Sequence, residues 1–155
     1  RIGQLDDSML IAKKLGTISR KLFASPSYIA KNGLPQSASD LVNHQLLVMN
    51  PVNNEIKLPL ISQQGEQFTL QCKPRLLVDD FALLKQSIID GLGIAVLPEY
   101  MGKGEIESGQ LVKVLPDWGL EDVDVFALYP RNRVKIPKIK ALLDFISELY
   151  LEALS

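Results

Sequence analysis

Few side chains in this sequence are of the types that perform acid–base, nucleophilic or metal chemistry, and their spacing limits each one. His44 is the only histidine and Cys72 the only cysteine. A Ser-His-Asp triad is arithmetically possible, but no Gly-x-Ser-x-Gly elbow occurs to present a serine. His44 follows a predicted helix end and precedes an apolar strand, so it reads as a helix C-terminal histidine bonded to backbone. One His and one Cys fall short of the clustered ligands of a transition-metal site. Asp6-Asp7-Ser8 and Asp79-Asp80 could touch a hard cation, yet neither matches a calcium loop, and each reads better as a cap. No metal, no cofactor and no catalysis are expected.

Two predicted helix starts could hold a ligand instead. One is Ser25-Pro26-Ser27 and the other is Asp79-Asp80-Phe81. Each follows a strand, and a helix N-terminus offers unpaired backbone N–H groups to a polar or anionic ligand. Plain capping is the reading favoured by local sequence. If a ligand binds, Ser25, Ser27 and Asp79 are the hydrogen-bonding groups and Phe81 the apolar surface. Asp79 would repel an anion, so a carboxylate ligand needs another donor, for which Arg1 is the candidate. Gly91-Leu92-Gly93 lies after a helix and before a strand, the reverse of a phosphate cradle, and reads as punctuation.

The run Val78–Glu99 contains strand end, helix, glycine stop, buried strand and proline stop, which is half of an open α/β sheet. Upstream, Met9–Leu15 and Arg20–Ala24 read as two strands broken at Gly16-Thr17. Ser25 at N-cap and Pro26 at N1 predict a short helix to about Lys31, stopped at Asn32-Gly33. A second short helix around Ser39–Val42 is capped by Ser37 or Ser39. Gln45–Met49 is an apolar strand. Glu55–Leu60 pairs with Gln67–Cys72 as a hairpin through Gln63–Glu66, and Pro59 marks the first strand as an edge. Arg75–Val78 is the next strand. Tyr100–Glu107 is a short segment punctuated by Gly102, Gly104 and Gly109. Leu111–Leu115 and Val123–Tyr129 read as separate strands, each ended by proline. Ile139, Leu142, Leu143, Ile146, Leu149 and Tyr150 recur at helical spacing and predict a final helix from about Pro137 to Leu151.

At 155 residues, 46% apolar and 23% charged, the chain can bury a real core. Lys+Arg is 17 and Asp+Glu 18, so no basic excess points to nucleic acid. The one basic cluster, Arg131–Lys140, reads as solvated surface. A single cysteine excludes an intrachain disulfide and fits a reducing compartment. Cys72, in the alternating run Phe68–Cys72, reads as a small core hydrophobe. No apolar run reaches membrane-spanning length. The opening Arg1-Ile2-Gly3-Gln4 has neither an initiator Met nor a cap, and reads like the middle of a domain.

A series of short motifs then points to a family. Arg1-Ile2-Gly3, Asp7-Ser8-x-Leu10-Ile11-Ala12-x-x-Leu15-Gly16, Arg20-x-Leu22-Phe23-Ala24-Ser25-Pro26-x-Tyr28 and Gly33-x-Pro35 open it. Asp40-Leu41-x-x-His44, Gly91–Tyr100, Gly109–Val112, Leu115–Trp118, Phe126–Pro130, Pro137-Lys138 and Asp144-Phe145 complete it. Their order and spacing, across essentially the whole chain, resemble the effector-binding domain of LysR-type transcriptional regulators.

That resemblance implies an α/β domain of two lobes with mixed open sheets, folded like a periplasmic binding protein. It implies a complete second lobe at residues 25–125 and a partial first lobe at 1–24 and 126–155, with Arg20–Ala24 and Phe126–Tyr129 as crossover strands. The implied effector cleft is lined by Arg1, Ser25, Pro26, Ser27, Met49, Asn50, Asp79, Asp80 and Phe81. The implied function is sensing a small metabolite between the lobes to control transcription. DNA contact would run through a winged helix-turn-helix that this sequence lacks. A homodimer or homotetramer in the cytoplasm, with no membrane partner, completes the expectation. The alternative, from a different class, is an exported solute-binding protein of similar fold feeding a transporter.

Overall fold

A computed structural model describes residues 10–49, 57–131 and 137–154. It contains β1 (Leu10–Ala24), α1 (Pro26–Asn32), a 3-10 helix (Ala38–Asn43), β2 (Leu47–Met49), β3 (Lys57–Ser62) and β4 (Gln67–Gln71). Then come β5 (Leu76–Val78), α2 (Phe81–Ile89), β6 (Ala95–Pro98), α3 (Glu99–Ser108), β7 (Val112–Pro130) and α4 (Pro137–Leu154). One sheet runs β4-β3-β7-β1-β6, and β2 pairs with β5 in parallel. A parallel bridge, Leu46 to Ile94, sets β2 alongside β6.

The chain divides into two compact units. One spans Ser19–Glu121, and the other holds the described residues up to Ile18 with those from Asp122 onward. The backbone passes between them twice, inside β1 and inside β7. The expected lobe changes, at 24/25 and 125/126, lie a few residues C-terminal of these points.

In the Ser19–Glu121 unit, strand alternation explains the core. Successive residues Leu22 and Phe23, Leu46 and Leu47, and Ile94 and Ala95 feed two different buried clusters. Neighbours on a strand point to opposite faces, so this sheet is covered on both sides. That is why Leu46–Met49 and Ile94–Leu97 are continuous apolar runs rather than alternating ones. Tyr28 of α1 and Leu41 of the 3-10 helix cover one face, while Leu84 and Ile88 of α2 cover the other. Each fully buried Leu, Ile or Phe here contributes about 1.5–3 kcal/mol over leaving it exposed. In the other unit Leu15, Ile18 and Val125 form a small cluster with Ile146 of α4, flanked by Lys13–Asp144 and Lys14–Asp124 ion pairs.

The helix boundaries follow local chemistry. Ser25 caps α1 by accepting the Tyr28 amide at 3.1 Å, Pro26 occupies its first turn, and Gly33 closes it. Ser37 and Asp40 form a capping box on the 3-10 helix. Gly93 is required for a different reason. A Cβ there would stand 2.5 Å from the Gln45 carbonyl oxygen, so only glycine lets β6 approach β2.

Several expectations need correction. The strands on either side of Gly16-Thr17 are one continuous β1, because Thr17 turns its hydroxyl to Asp124 at 2.8 Å instead of into a turn. The two predicted strands around Pro116–Gly119 are likewise one β7. The proline break is absorbed as a local distortion: Leu115 takes φ 48°, a left-handed value for a non-glycine residue, and the strand resumes. Gly102 and Gly104 lie inside α3, and only Gly109 ends it. Gly102 lets the helix pass over the Phe23 ring. Pro59 does not mark a sheet edge, since β4 is the edge. β7 meets β3 only at Ile61 and Ser62, which leaves Pro59 flanked by β4 alone. Residues 132–136 of the basic cluster at Arg131–Lys140, and Asp6-Asp7-Ser8, lie outside the described residues.

Candidate ligand-binding site

Strand direction assembles one edge of the Ser19–Glu121 unit. β2, β5 and β6 run parallel, so their C-terminal residues Met49, Val78 and Pro98 share an edge. β1 runs against β6, with Arg20 opposite Pro98 and Phe23 opposite Ala95. Arg20 therefore stands at that same edge. In open α/β sheets the carboxyl ends of strands are where ligands bind.

A cavity of about 230 Å³ opens there. Met49, Leu58, Phe81 and Val96 supply apolar wall, and among the described residues Arg20 and Lys57 are the charged ones that line it. Arg20 is anchored by its Nε and Nη2, which donate to the Glu121 carbonyl on β7. A second hollow of about 360 Å³ shares Arg20, Lys57, Leu58 and Leu120 and adds Gln67, Thr69 and Glu121.

The residues expected from sequence separate into groups. Met49 and Phe81 meet in the cavity. Asp79 follows β5 at the same edge and is exposed. Asp80 is occupied as the cap of α2, accepting the amides of Ala82 at 2.6 Å and Leu83 at 3.1 Å. Ser25, Pro26 and Ser27 follow the other end of the β1–β6 pair. There the Ser25 hydroxyl, almost fully buried, bonds Ser27 at 3.0 Å, and both face Gly91 at the close of α2. Arg1 and Asn50 lie outside the described residues.

Arg20 and Lys57 were not singled out from sequence. Arg20 sits in an ordinary strand run and Lys57 in an alternating one. Only the pairing of β1 with β6, and of β3 with β7, brings them to the edge where β2 ends. No local signal carries that.

His44 bonds a side chain rather than backbone through its ring. Its Nδ1 is 2.8 Å from the Tyr28 hydroxyl, while its backbone N–H donates to Leu41. Burial pushes the imidazole below its ordinary pKa, opposed by nearby Asp40, and burial pushes the Tyr28 phenol up. Cys72 packs half-buried against the core, which raises its thiol pKa. Among the described residues no group of three or more His, Cys, Asp or Glu is placed to hold a metal ion. None of their helices is long and apolar enough to cross a membrane. An apolar pocket with two cations can bind and orient a small molecule.

Comparison with known proteins places this geometry. The LysR substrate binding domain model matches residues 1–150. An HTH-type transcriptional regulator of Xanthomonas campestris pv. campestris is 32% identical, the match covering 94% of this chain and 43% of that protein. PtxR of Pseudomonas aeruginosa, also named an HTH-type transcriptional regulator, is 32% identical over 96% of this chain and 47% of its own length. The chain thus spans about half the length of the curated relatives it matches. Among solved structures, the regulatory domain of AphB from Vibrio vulnificus superposes with a TM-score of 0.82 at 33% identity. That match covers 94% of this chain and 72% of the other. The regulatory domain of CrgA from Neisseria meningitidis gives 0.78 at 28% identity, over 97% and 73%. The fold is the periplasmic-binding-protein-like one of these regulatory domains.

Proposed function

The chain belongs to the LysR substrate-binding domain family, and on that premise we propose that it is the metabolite-sensing part of a bacterial transcription regulator. The observation that carries this reading is the cavity at the shared carboxyl edge of β2, β5 and β6, inside the family match. Met49 and Phe81 contact the ligand's apolar surface. Asp79 borders the entrance, and Asp80 contributes by holding the start of α2 in place. Ser25, Pro26 and Ser27 act at the opposite edge as a cap.

In this reading residues 25–125 form one lobe and residues 1–24 with 126–155 belong to the other, with β1 and β7 as the crossings. A ligand shifts the balance between conformations only by its difference in affinity for them. That shift is passed to DNA through a helix-turn-helix domain of the whole protein, acting as a homodimer or homotetramer in the cytoplasm. The domain binds without catalysing a reaction. Relatives that are transcription regulators favour this reading over an exported solute-binding protein.

A metabolite panel screened by thermal shift tests it. A ligand that binds only the folded chain raises its melting temperature in proportion to the logarithm of concentration. Phe81→Ala, at a partly exposed position, is expected to abolish that rise while the protein stays folded. A panel without a single stabilising ligand, or a ligand indifferent to Phe81→Ala, contradicts the reading.

A further inference from the structure

Resting on the reading that the cavity beside Phe81 holds a small molecule, we propose that Lys85 is a positioning residue for that cavity. Its two bonds to α3 fix where the Phe81 wall stands relative to the Pro98 wall. Phe81 and Lys85 lie one turn apart on the same side of α2, and Phe81 lines the cavity. The Lys85 ammonium stands 2.8 Å from Oε1 of Glu105 and donates to the Met101 carbonyl at 3.3 Å. Both acceptors belong to α3, whose N-cap is Pro98, itself a lining residue of the cavity. One ammonium therefore joins the helix that starts at Phe81 to the helix that starts after Pro98.

The other contacts of α2 do not supply this role. Leu84 and Ile88 share a buried cluster with Leu97 and Leu111, and Ile106 of α3 packs against it. Such burial holds α2 on the sheet but is non-directional, so it resists sliding along the helix axis only weakly. The Asp80 cap fixes the first turn, yet its bonds stay within α2 and cannot place that helix against α3. A charge-assisted hydrogen bond is short and directional, and it sets an axial position. Among the described residues the two Lys85 bonds are the polar links between α2 and α3. They are partly sheltered, with 30% of the Lys85 side chain and 19% of the Glu105 side chain exposed, so salt screens them less than a surface pair. Attraction between packed atoms falls steeply over a fraction of an ångström. A Phe81 wall released from its position therefore loses contact with whatever occupies the cavity, although Lys85 itself touches none of it.

Indole is the probe, because it is apolar and uncharged, so a change in the protein's charge does not by itself alter its binding. The 155-residue chain is titrated with indole and followed by the amide NMR shifts of Phe81 and Val96. Lys85→Met should weaken indole at least threefold and move the Phe81 amide resonance even without indole, while the melting temperature falls by no more than about 4 °C. Lys85→Arg keeps a cation with several donors and should recover the affinity to within twofold. Lys103→Met removes an exposed lysine of the same α3 and should bind indole as the wild type does. Glu105→Gln, which keeps the bond to the Met101 carbonyl, should weaken indole by less than Lys85→Met, and it carries the test if Lys85→Met fails to fold. Wild-type indole affinity in Lys85→Met overturns the proposal, as does wild-type affinity in Glu105→Gln where that variant carries the test. No recovery in Lys85→Arg, or an equal loss in Lys103→Met, overturns it too. A wild-type chain that takes up no indole at these residues also overturns it, and the metabolite panel then judges the sensing role separately.

Discussion

The Tyr28 hydroxyl stands 2.8 Å from Nδ1 of His44 and also accepts the Gln45 amide at 3.0 Å. The hydroxyl oxygen has two acceptor sites and one hydrogen, so it bonds Nδ1 in either neutral tautomer of His44 while it accepts the amide. The pair ties the 3-10 helix end to α1 just where β2 begins, and so joins two pieces that cover one face of the sheet.

This pair makes stability depend on pH. Burial holds the His44 pKa below its ordinary 6.5, so the unfolded chain takes up the proton more readily. Stability is full above about pH 6.5, falls as pH drops below it, and levels off once the folded histidine is protonated as well. Urea midpoints should therefore stay level from about pH 8 to about pH 6.5 and decline as the pH falls further to about 5.5, above the range in which most carboxylates titrate. His44→Gln should flatten that decline. A wild-type midpoint that stays level across this window contradicts the assignment.

The Tyr28 hydroxyl itself should be worth more than an ordinary surface bond. Tyr28→Phe leaves the Gln45 amide and the imidazole without their partner in a half-buried place. We expect a loss of about 1–3 kcal/mol in chemical denaturation. A change within a few tenths of a kcal/mol means that water replaces the hydroxyl fully.

Two glycine substitutions should act in opposite directions. Gly93→Ala forces a methyl to 2.5 Å from the Gln45 carbonyl, and backbone cannot swing aside as a side chain would. A destabilisation of about 1–3 kcal/mol follows, with β2–β6 amides losing protection in hydrogen exchange. Gly104→Ala meets nothing within 4 Å in the exposed middle of α3. There the gain in helix propensity should stabilise by about 0.5–1 kcal/mol.

The cap of α2 is a fourth test. Asp80→Ala removes the acceptor of two amides and should cost about 0.5–2 kcal/mol, while Asp80→Asn keeps most of the cap. If Asp80 touched the ligand directly instead, Asp80→Asn would change affinity with stability intact, and thermal shifts with and without ligand separate the two outcomes.

Much of the fold was legible because it is written within a few residues. Ser25-Pro26 and Gly33 bound α1, Asp80 starts α2, and the apolar run Ile94–Leu97 is a strand buried on both faces. The Gly91-Leu92-Gly93 run is punctuation, as its place between helix and strand implied, though Gly93 acts through a close approach rather than a turn. The long strands were not legible. Gly16-Thr17 and Pro116–Gly119 look like turns to a reader of neighbours, yet the side-chain contact of Thr17 with Asp124 and the pairing of Trp118 and Gly119 with β3 keep β1 and β7 extended.

The sequence by itself determined the caps, the alternation of strand and helix, the apolar runs and the motif series that marks the family. These depend on backbone preferences and on order along the chain. Tertiary structure alone decided which expected ligand groups share a site. Met49 and Phe81 meet, while Ser25 and Ser27 end up across the sheet, because β1 runs antiparallel to β6 and places Arg20, not Ser25, beside Pro98. Strand direction and register arise from pairing between distant segments. A cation contributed by one such segment cannot be placed beside a ring contributed by another until both have paired.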